Sequence, residues 1–179
     1  MIEFSKDSRL WNQDGQAAVF SKAKHRWGKL GNMAGGMPFT DPATGLRWTS
    51  SEAWYQAQRY PHLSQLQEDI RRAGNGFLAK QVAHERVGES RADWLEVNVE
   101  MMWQALLLKA TNDAFRAELL ATGDRPIVEY SARDAFWGAR PQGDGTLRGA
   151  NVLGQLLMLL RAKLRAEAAP TRPGMMGLL

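Results

Sequence analysis

The chain changes character at Ser50, and that change constrains what it can fold into. Before it, Gly31, Gly35, Gly36, Pro38, Pro42 and Gly45 interrupt every run. Only short strand-like pieces fit between the breaks: Ile2-Glu3-Phe4, Ala17-Ala18-Val19-Phe20 and Arg47-Trp48-Thr49. After it, helical spacing dominates. Ser50 or Ser51 caps a helix that begins near Glu52 and ends before Pro61. Further helices are expected over 63–72 and 77–86, split by Gly74-Asn75-Gly76. The longest covers 93–109, where Trp94, Val97, Met101 and Leu108 recur at three- and four-residue spacing. Asn112 or Asp113 restarts a helix through Leu120, Pro126 to Glu129 reads as a strand, and a glycine-rich loop over 138–149 precedes a last amphipathic helix over 152–166. The expected architecture is a helix-rich α+β domain with a small β-sheet covered by helices.

At 179 residues the chain is one domain by length. The domain is expected over 1–168, with a disordered tail over 169–179 and no internal repeat. With no cysteine, disulfides, thiolate nucleophiles and cysteine-based zinc sites are excluded. His25, His62 and His84 are not spaced as metal ligands, and no phosphate loop or dinucleotide-binding glycine pattern stands between strand and helix, so neither a metal nor a cofactor is expected. No apolar run spans a bilayer and the N-terminus lacks a signal-peptide pattern; the expectation is a cytoplasmic protein with no membrane partner. The net charge of +4 is unevenly spread. Lys22, Lys24, Arg26 and Lys29 share an acid-free run with His25 and Trp27, which suits phosphates or equally a solvated loop.

Chemistry concentrates in Ile127–Gly138, where Glu129 and Asp134 stand beside Phe136 and Trp137. Burying carboxylates among large apolar rings is costly unless something compensates. A pocket that grips a flat ring and moves a proton or stabilises a cation uses that mixture. Glu52, in the first turn of a capped helix beside Trp54 and Tyr55, suits a general base for water or a capping-box glutamate. Asp134 suits a base edge or a developing positive charge, with Trp137 stacking on a ring; a turn aspartate beside a core tryptophan is the alternative. Glu129 on the preceding strand suits that same chemistry or, equally, a structural ion pair with Arg133 or Arg161. Trp94 suits the core, and Lys109 a partner for the last carbonyls of its helix, a phosphate contact or a Schiff-base amine.

Five collinear blocks resemble the NADAR (YbiA-like) family. They are Thr49 to Tyr60; Arg91 and Trp94 with Met101 and Lys109; Leu120 to Asp124; Ile127-Val128-Glu129 with Asp134 to Gly138; and Asn151 to Arg161. The resemblance covers about 17–166. It implies a mainly helical α+β fold and N-glycosidase activity, the cleavage of a ribose C1′–nitrogen bond. It also implies two substrate classes: ADP-ribose on guanine bases, and the ribosylamino-pyrimidine phosphates of riboflavin synthesis. The family's functional positions carry over to Glu52, Trp94, Asp134 and Trp137. Where many members have Ser-Glu-His, this chain has Ser51-Glu52-Ala53, so no histidine is expected to assist there. The blocks around Asn32-Met33-Ala34, Asp124 to Glu129 and Trp137 to Pro141 are similar to the branch that reverses ADP-ribosylation.

These residues lead to a working mechanism. Glu52 orients or deprotonates water and Asp134 stabilises the cationic sugar or contacts the leaving base. Trp94 and Trp137 stack on the base, and Asn32 joins the substrate-binding set. Lys29, Lys109 and Arg148 meet phosphates, with a covalent route through Lys109 as the competing mechanism. The expected partners are ADP-ribosylated nucleic acid or a small ribosyl-phosphate metabolite, with a toxin ADP-ribosyltransferase as a functional partner. Three readings stand: a DNA-directed glycosidase with an antitoxin or repair role, a metabolite hydrolase, and a non-catalytic ADP-ribose or nucleotide reader.

Overall fold

A computed structural model describes residues 3–13 and 15–169. The tail expected to be disordered falls, from Pro170 onward, outside those residues, as does Ile2. Four short strands, β1 (Arg9–Asn12), β2 (Ala18–Phe20), β3 (Phe39–Thr40) and β4 (Arg47–Trp48), come before the first helix. Five helices follow: α1 (Ser51–Ala57), α2 (Ser64–Arg72), α3 (Gly76–Glu85), α4 (Trp94–Lys109) and α5 (Asp113–Ala121). β5 (Ile127–Glu129), β6 (Arg140–Pro141), β7 (Thr146–Gly149) and α6 (Val152–Ala168) complete the described residues. The domain is a helix-rich α+β fold, as expected, with its strands divided among three small sheets. β1, β7 and β6 form an antiparallel trio, β2 and β5 a parallel pair, and β3 and β4 a hairpin.

Three expectations need correction. Glu3 and Phe4 are not in a strand; the first strand is Arg9–Asn12, which pairs with Thr146–Gly149. The glycine-rich loop over 138–149 contains that partner and β6, because Gly143 and Gly145, both at positive φ, turn one strand back on the other. In α4 the fully buried positions are Trp94, Val99, Met102, Ala105, Leu106 and Lys109, whereas Val97, Met101 and Leu108 are only partly covered. That helix is apolar almost all round, so its sequence does not fix which face points inward.

The parallel pair positions the site. Phe20 lies opposite Glu129, so the chain leaves both strands at the same end, into Ser21 on one side and Tyr130-Ser131 on the other. Ligand clefts in α/β sheets open at such carboxyl ends. Along β5 the side chains alternate: Ile127 joins the main core and Val128 a smaller cluster with Trp11, Ala139 and Leu147. Glu129 therefore points back to the side of Ile127. Asn151, held at φ 54, completes the free edge of β5 by accepting from the Glu129 amide at 2.9 Å and donating to the Ile127 carbonyl at 2.9 Å. Gly154 is required there, since a Cβ would sit 2.2 Å from that carbonyl.

Candidate functional site

At the ends of β2 and β5 lies a cavity of about 420 Å³, within the range of small-molecule sites. Glu52, Glu129 and Asp134 contribute carboxylates; Arg59, Lys80 and His84 contribute cationic or basic groups; Tyr55 and Trp137 supply rings. Two loops close it, one through Ser21, Gly28, Gly31 and Asn32, the other through Ser131.

Glu52 sits on α1, a seven-residue helix whose every residue is buried. Ser50 caps it, its Oγ accepting from the Ala53 amide at 3.2 Å. Glu52 does not reach back to that cap, as a capping-box glutamate would. Its Oε1 accepts from Gln56 Nε2 at 2.8 Å, and its amide donates to the Asn32 carbonyl at 3.2 Å. Burial pushes the Glu52 carboxyl above its ordinary range, opposed by Lys80, the Gln56 hydrogen bond and Arg59. The same face carries Tyr55, Gln56 and Arg59, the i+3, i+4 and i+7 neighbours of Glu52. Burial, with a contribution from Glu52, raises the Tyr55 phenol, so it stays protonated and able to donate. Gln56 Oε1 and Arg59 Nε and Nη1 are buried without a hydrogen-bond partner among the described residues. Such atoms are costly unless a ligand or water completes them.

Asp134 is fixed by its own turn. Its Oδ1 accepts from the amides of Phe136 and Trp137, both at 2.9 Å, while its amide donates to Ser131 Oγ at 3.0 Å. Oδ2 carries no hydrogen bond among the described residues. The same turn sets the Trp137 ring edge-on to Tyr55, centroids 5.9 Å apart, and to Phe136 at 5.1 Å. Gly138 then passes so close to β5 that a Cβ would lie 2.7 Å from the Glu129 carbonyl. Glu129 is pushed up to about 7 by burial and by the nearby Asp134 and Glu52 carboxylates, with Lys80 opposing. On the far wall, Lys80 and His84 stand one turn apart on α3. Burial, Lys80 and Arg59 lower the His84 imidazole.

Of the residues expected to form the site, Glu52, Asp134, Trp137 and Asn32 line the cavity. Asn32 is a buttress as well as a wall: its carbonyl holds the Glu52 amide, its Oδ1 accepts from Ser51 Oγ at 3.1 Å, and its Nδ2 contacts Met102 Sδ. Trp94, Lys29, Lys109 and Arg148 do not line it. Trp94 is 5% exposed and packs behind the wall, its ring 5.0 Å from Tyr55 and beneath the Arg59 guanidinium at 4.9 Å. From there it supports two lining residues. Lys109 is 1% exposed, and its Nζ donates to the carbonyls of Lys29 and Gly31, each at 2.8 Å. Burial lowers its ammonium to about 7, but it fastens a loop and offers neither a phosphate contact nor a route to a sugar adduct. Arg148 is exposed on β7 opposite Leu10 and Arg140, in the antiparallel sheet. Lys29 is exposed on the short 28–30 turn. Among the described residues Glu129 forms no ion pair with Arg133 or Arg161, the expected partners; Arg161 donates instead to Thr122 Oγ1 and to the Arg125 carbonyl.

Unanticipated lining residues are Arg59, Lys80, His84, Tyr55 and Gln56. The spacing 52, 55, 56, 59 was a usable signal, because four polar-tipped residues on one face of a short helix among buried neighbours need something to meet. Among the described residues no helix is long and apolar enough to cross a membrane.

Fold and cavity define a small α+β domain whose cleft sets carboxylates against cations around an aromatic pair. The chain belongs to the NADAR family: residues 5–165 match its NADAR domain. It is 37% identical over 139 residues to a riboflavin biosynthesis protein of Vibrio vulnificus, a match covering 77% of this chain but only 36% of that protein. It is 36% identical over 124 residues to the N-glycosidase YbiA of Escherichia coli, covering 69% of this chain and 74% of that one. The NMR structure of Escherichia coli YbiA superposes with a TM-score of 0.72 at 29% identity, covering 92% of this chain and 97% of that one.

Proposed function

We propose that this protein is an N-glycosidase that hydrolyses a ribosyl C1′–N bond, and that its substrate is ADP-ribose attached to guanine in DNA. The kinship with YbiA supports the reaction class. One observation carries the substrate: the basic run forms part of the cavity rim. Ser21, Ala23 and Gly28 line the cavity, while Lys22, Lys24, His25, Arg26 and Lys29 are exposed around them. The loop has a defined shape, with Trp27 at φ 63 and a Gly28 whose Cβ would lie 2.4 Å from the Lys22 carbonyl. A polymer with a phosphate backbone gains from cations beside the cleft. A free metabolite has less use for them.

Ribosyl–nitrogen cleavage passes through an oxocarbenium-like state, as glycoside hydrolysis does. Glu52 takes the proton of the attacking water, and the free Asp134 Oδ2 faces the developing positive charge. The Trp137 ring holds the flat base, a contact worth roughly 1–3 kcal/mol. Arg59 and Lys80 take the phosphates on the opposite wall, completing the unpartnered guanidinium nitrogens.

A second reading is favoured by the relatives named for riboflavin biosynthesis in Vibrio vulnificus and Arabidopsis thaliana. In it the substrate is a ribosylamino-pyrimidine phosphate. Incubation with DNA carrying ADP-ribosylated guanine and, separately, with the pyrimidine intermediates decides between them. Restored guanine and released ADP-ribose are expected. Turnover of the pyrimidine alone supports the second reading, and binding of either without turnover leaves a reader module.

A further inference from the structure

The three carboxylates of the cavity are not equivalent. Glu52 accepts a hydrogen bond from Gln56 and lies near Lys80 and Arg59. Asp134 accepts two backbone amides. The Glu129 carboxylate has no hydrogen bond or ion pair among the described residues. It is flanked by Asp134 from the following turn and Glu52 from α1, with Lys80 on α3 the cation that opposes them. Its backbone, by contrast, is tightly held. The amide donates to Asn151 Oδ1, the carbonyl accepts from the Ala139 amide at 2.8 Å, and a Cβ on Gly138 would come within 3.3 Å of Oε2. A side chain built rigidly into a cleft wall, yet given no donor, is placed to keep a proton.

We propose that Glu129 is the general acid of the site, delivering its proton to the nitrogen that leaves C1′. This rests on the N-glycosidase reading. The C1′–N electron pair goes to nitrogen, which takes the Glu129 proton; the water oxygen bonds to C1′ and its proton goes to Glu52. A second water-derived exchange between solvent and the two carboxyls restores the starting state, with one water consumed and no other reactant. Burial raises both Glu52 and Glu129, but Lys80, Arg59 and the Gln56 hydrogen bond favour the charged form of Glu52. The Asp134 and Glu52 carboxylates disfavour that of Glu129 with only Lys80 against them, so acid and base roles separate. The elevation of Glu129 to about 7 agrees with that division. An exocyclic amine is a poor leaving group unprotonated, so the group matters most for such substrates.

The test is kcat against pH for the full chain and for Glu129→Gln, on DNA carrying ADP-ribosylated guanine and on the pyrimidine intermediates. In parallel, the carboxyl carbon of Glu129 is titrated by NMR, its resonance assigned by its loss in Glu129→Gln. Expected are a wild-type rate that falls as pH rises through about 7, and a variant at least about a hundredfold slower at pH below that limb. Expected too are loss of the alkaline limb in the variant and partial rescue of Glu129→Ala by added imidazolium, a small acid that still carries a proton near neutral pH. A Glu129 resonance titrating in the ordinary carboxylate range overturns the assignment even if the variants fold poorly. So does a variant that keeps both rate and limb. A wild-type protein that cleaves neither substrate instead sinks the glycosidase reading on which the assignment depends.

Discussion

The two walls of the cavity are built from different material. The acidic wall comes from a turn and a strand end: Glu129 closes β5, and Asp134 is locked by the amides of Phe136 and Trp137. The cationic wall comes from helix faces: Arg59 just beyond α1, and Lys80 and His84 one turn apart on α3. Turn residues hold their geometry through backbone bonds, so the acidic groups are positioned before a ligand arrives. Among the described residues two Arg59 nitrogens have no partner, and its guanidinium lies over the face of Trp94. The acidic wall is thus suited to bond-breaking, where small displacements are costly, and the cationic wall to gripping a flexible phosphate. Glu52 belongs to the acidic set but grows from the same helix as Arg59, so it is where the walls meet.

The largest effect is expected there. Glu52→Gln keeps the side chain's shape and the Gln56 contact but removes the proposed base, so kcat should fall at least about a hundredfold with KM little changed. Steady-state kinetics beside a thermal melt give the answer. Full turnover from a folded variant would break the division of labour between the walls.

The comparison also explains what the sequence revealed. Asp134 and Trp137 were legible because turn chemistry is local: an aspartate three residues before Trp-Gly announces its own hydrogen bonds. Glu52 was legible from its place after Ser50. Lys80 and His84 were not, because a lysine and a histidine one turn apart on a helix look like ordinary solvated surface until the fold shows what they face. Trp94 and Lys109 fail in the opposite way. The family resemblance points to both as site residues, but long-range packing puts each behind the cavity wall, Trp94 under Tyr55 and Arg59, Lys109 under the loop at Lys29 and Gly31. Helix existence was readable from periodicity throughout the second half. The split into three sheets was not, because strands as short as β1 and β2 are selected by partners far along the chain.

A smaller effect sharpens the role of the cationic wall. Lys80→Met should raise KM about tenfold, the scale of one charge-assisted phosphate contact. It also removes the strongest influence holding the Glu52 carboxyl down against burial. Glu52 would then keep its proton to higher pH, and the acid limb of the rate profile should move upward. A rise in KM with an unmoved limb would assign Lys80 to the ligand alone; a moved limb with unchanged KM would assign it to Glu52.

The smallest effect on turnover is expected from Lys109→Met, which asks whether a buried cation outside the cavity belongs to the cationic wall at all. Methionine fills similar space but leaves the Lys29 and Gly31 carbonyls without their donor, a loss of about 1–3 kcal/mol in stability. Activity should fall only a few-fold, through loosening of Gly31-Asn32 and hence of the Glu52 amide. Stability should also respond to pH in a specific direction. Burial holds the folded Lys109 at about 7, below its ordinary 10.5, so between those values the unfolded chain binds more protons than the native one. Wild-type stability from this group therefore rises with pH across that window, and in urea titrations Lys109→Met should lose that rise. If instead the variant matched wild-type stability at every pH while KM rose tenfold, Lys109 would be contacting the ligand and the boundary drawn around the cationic wall would be misplaced.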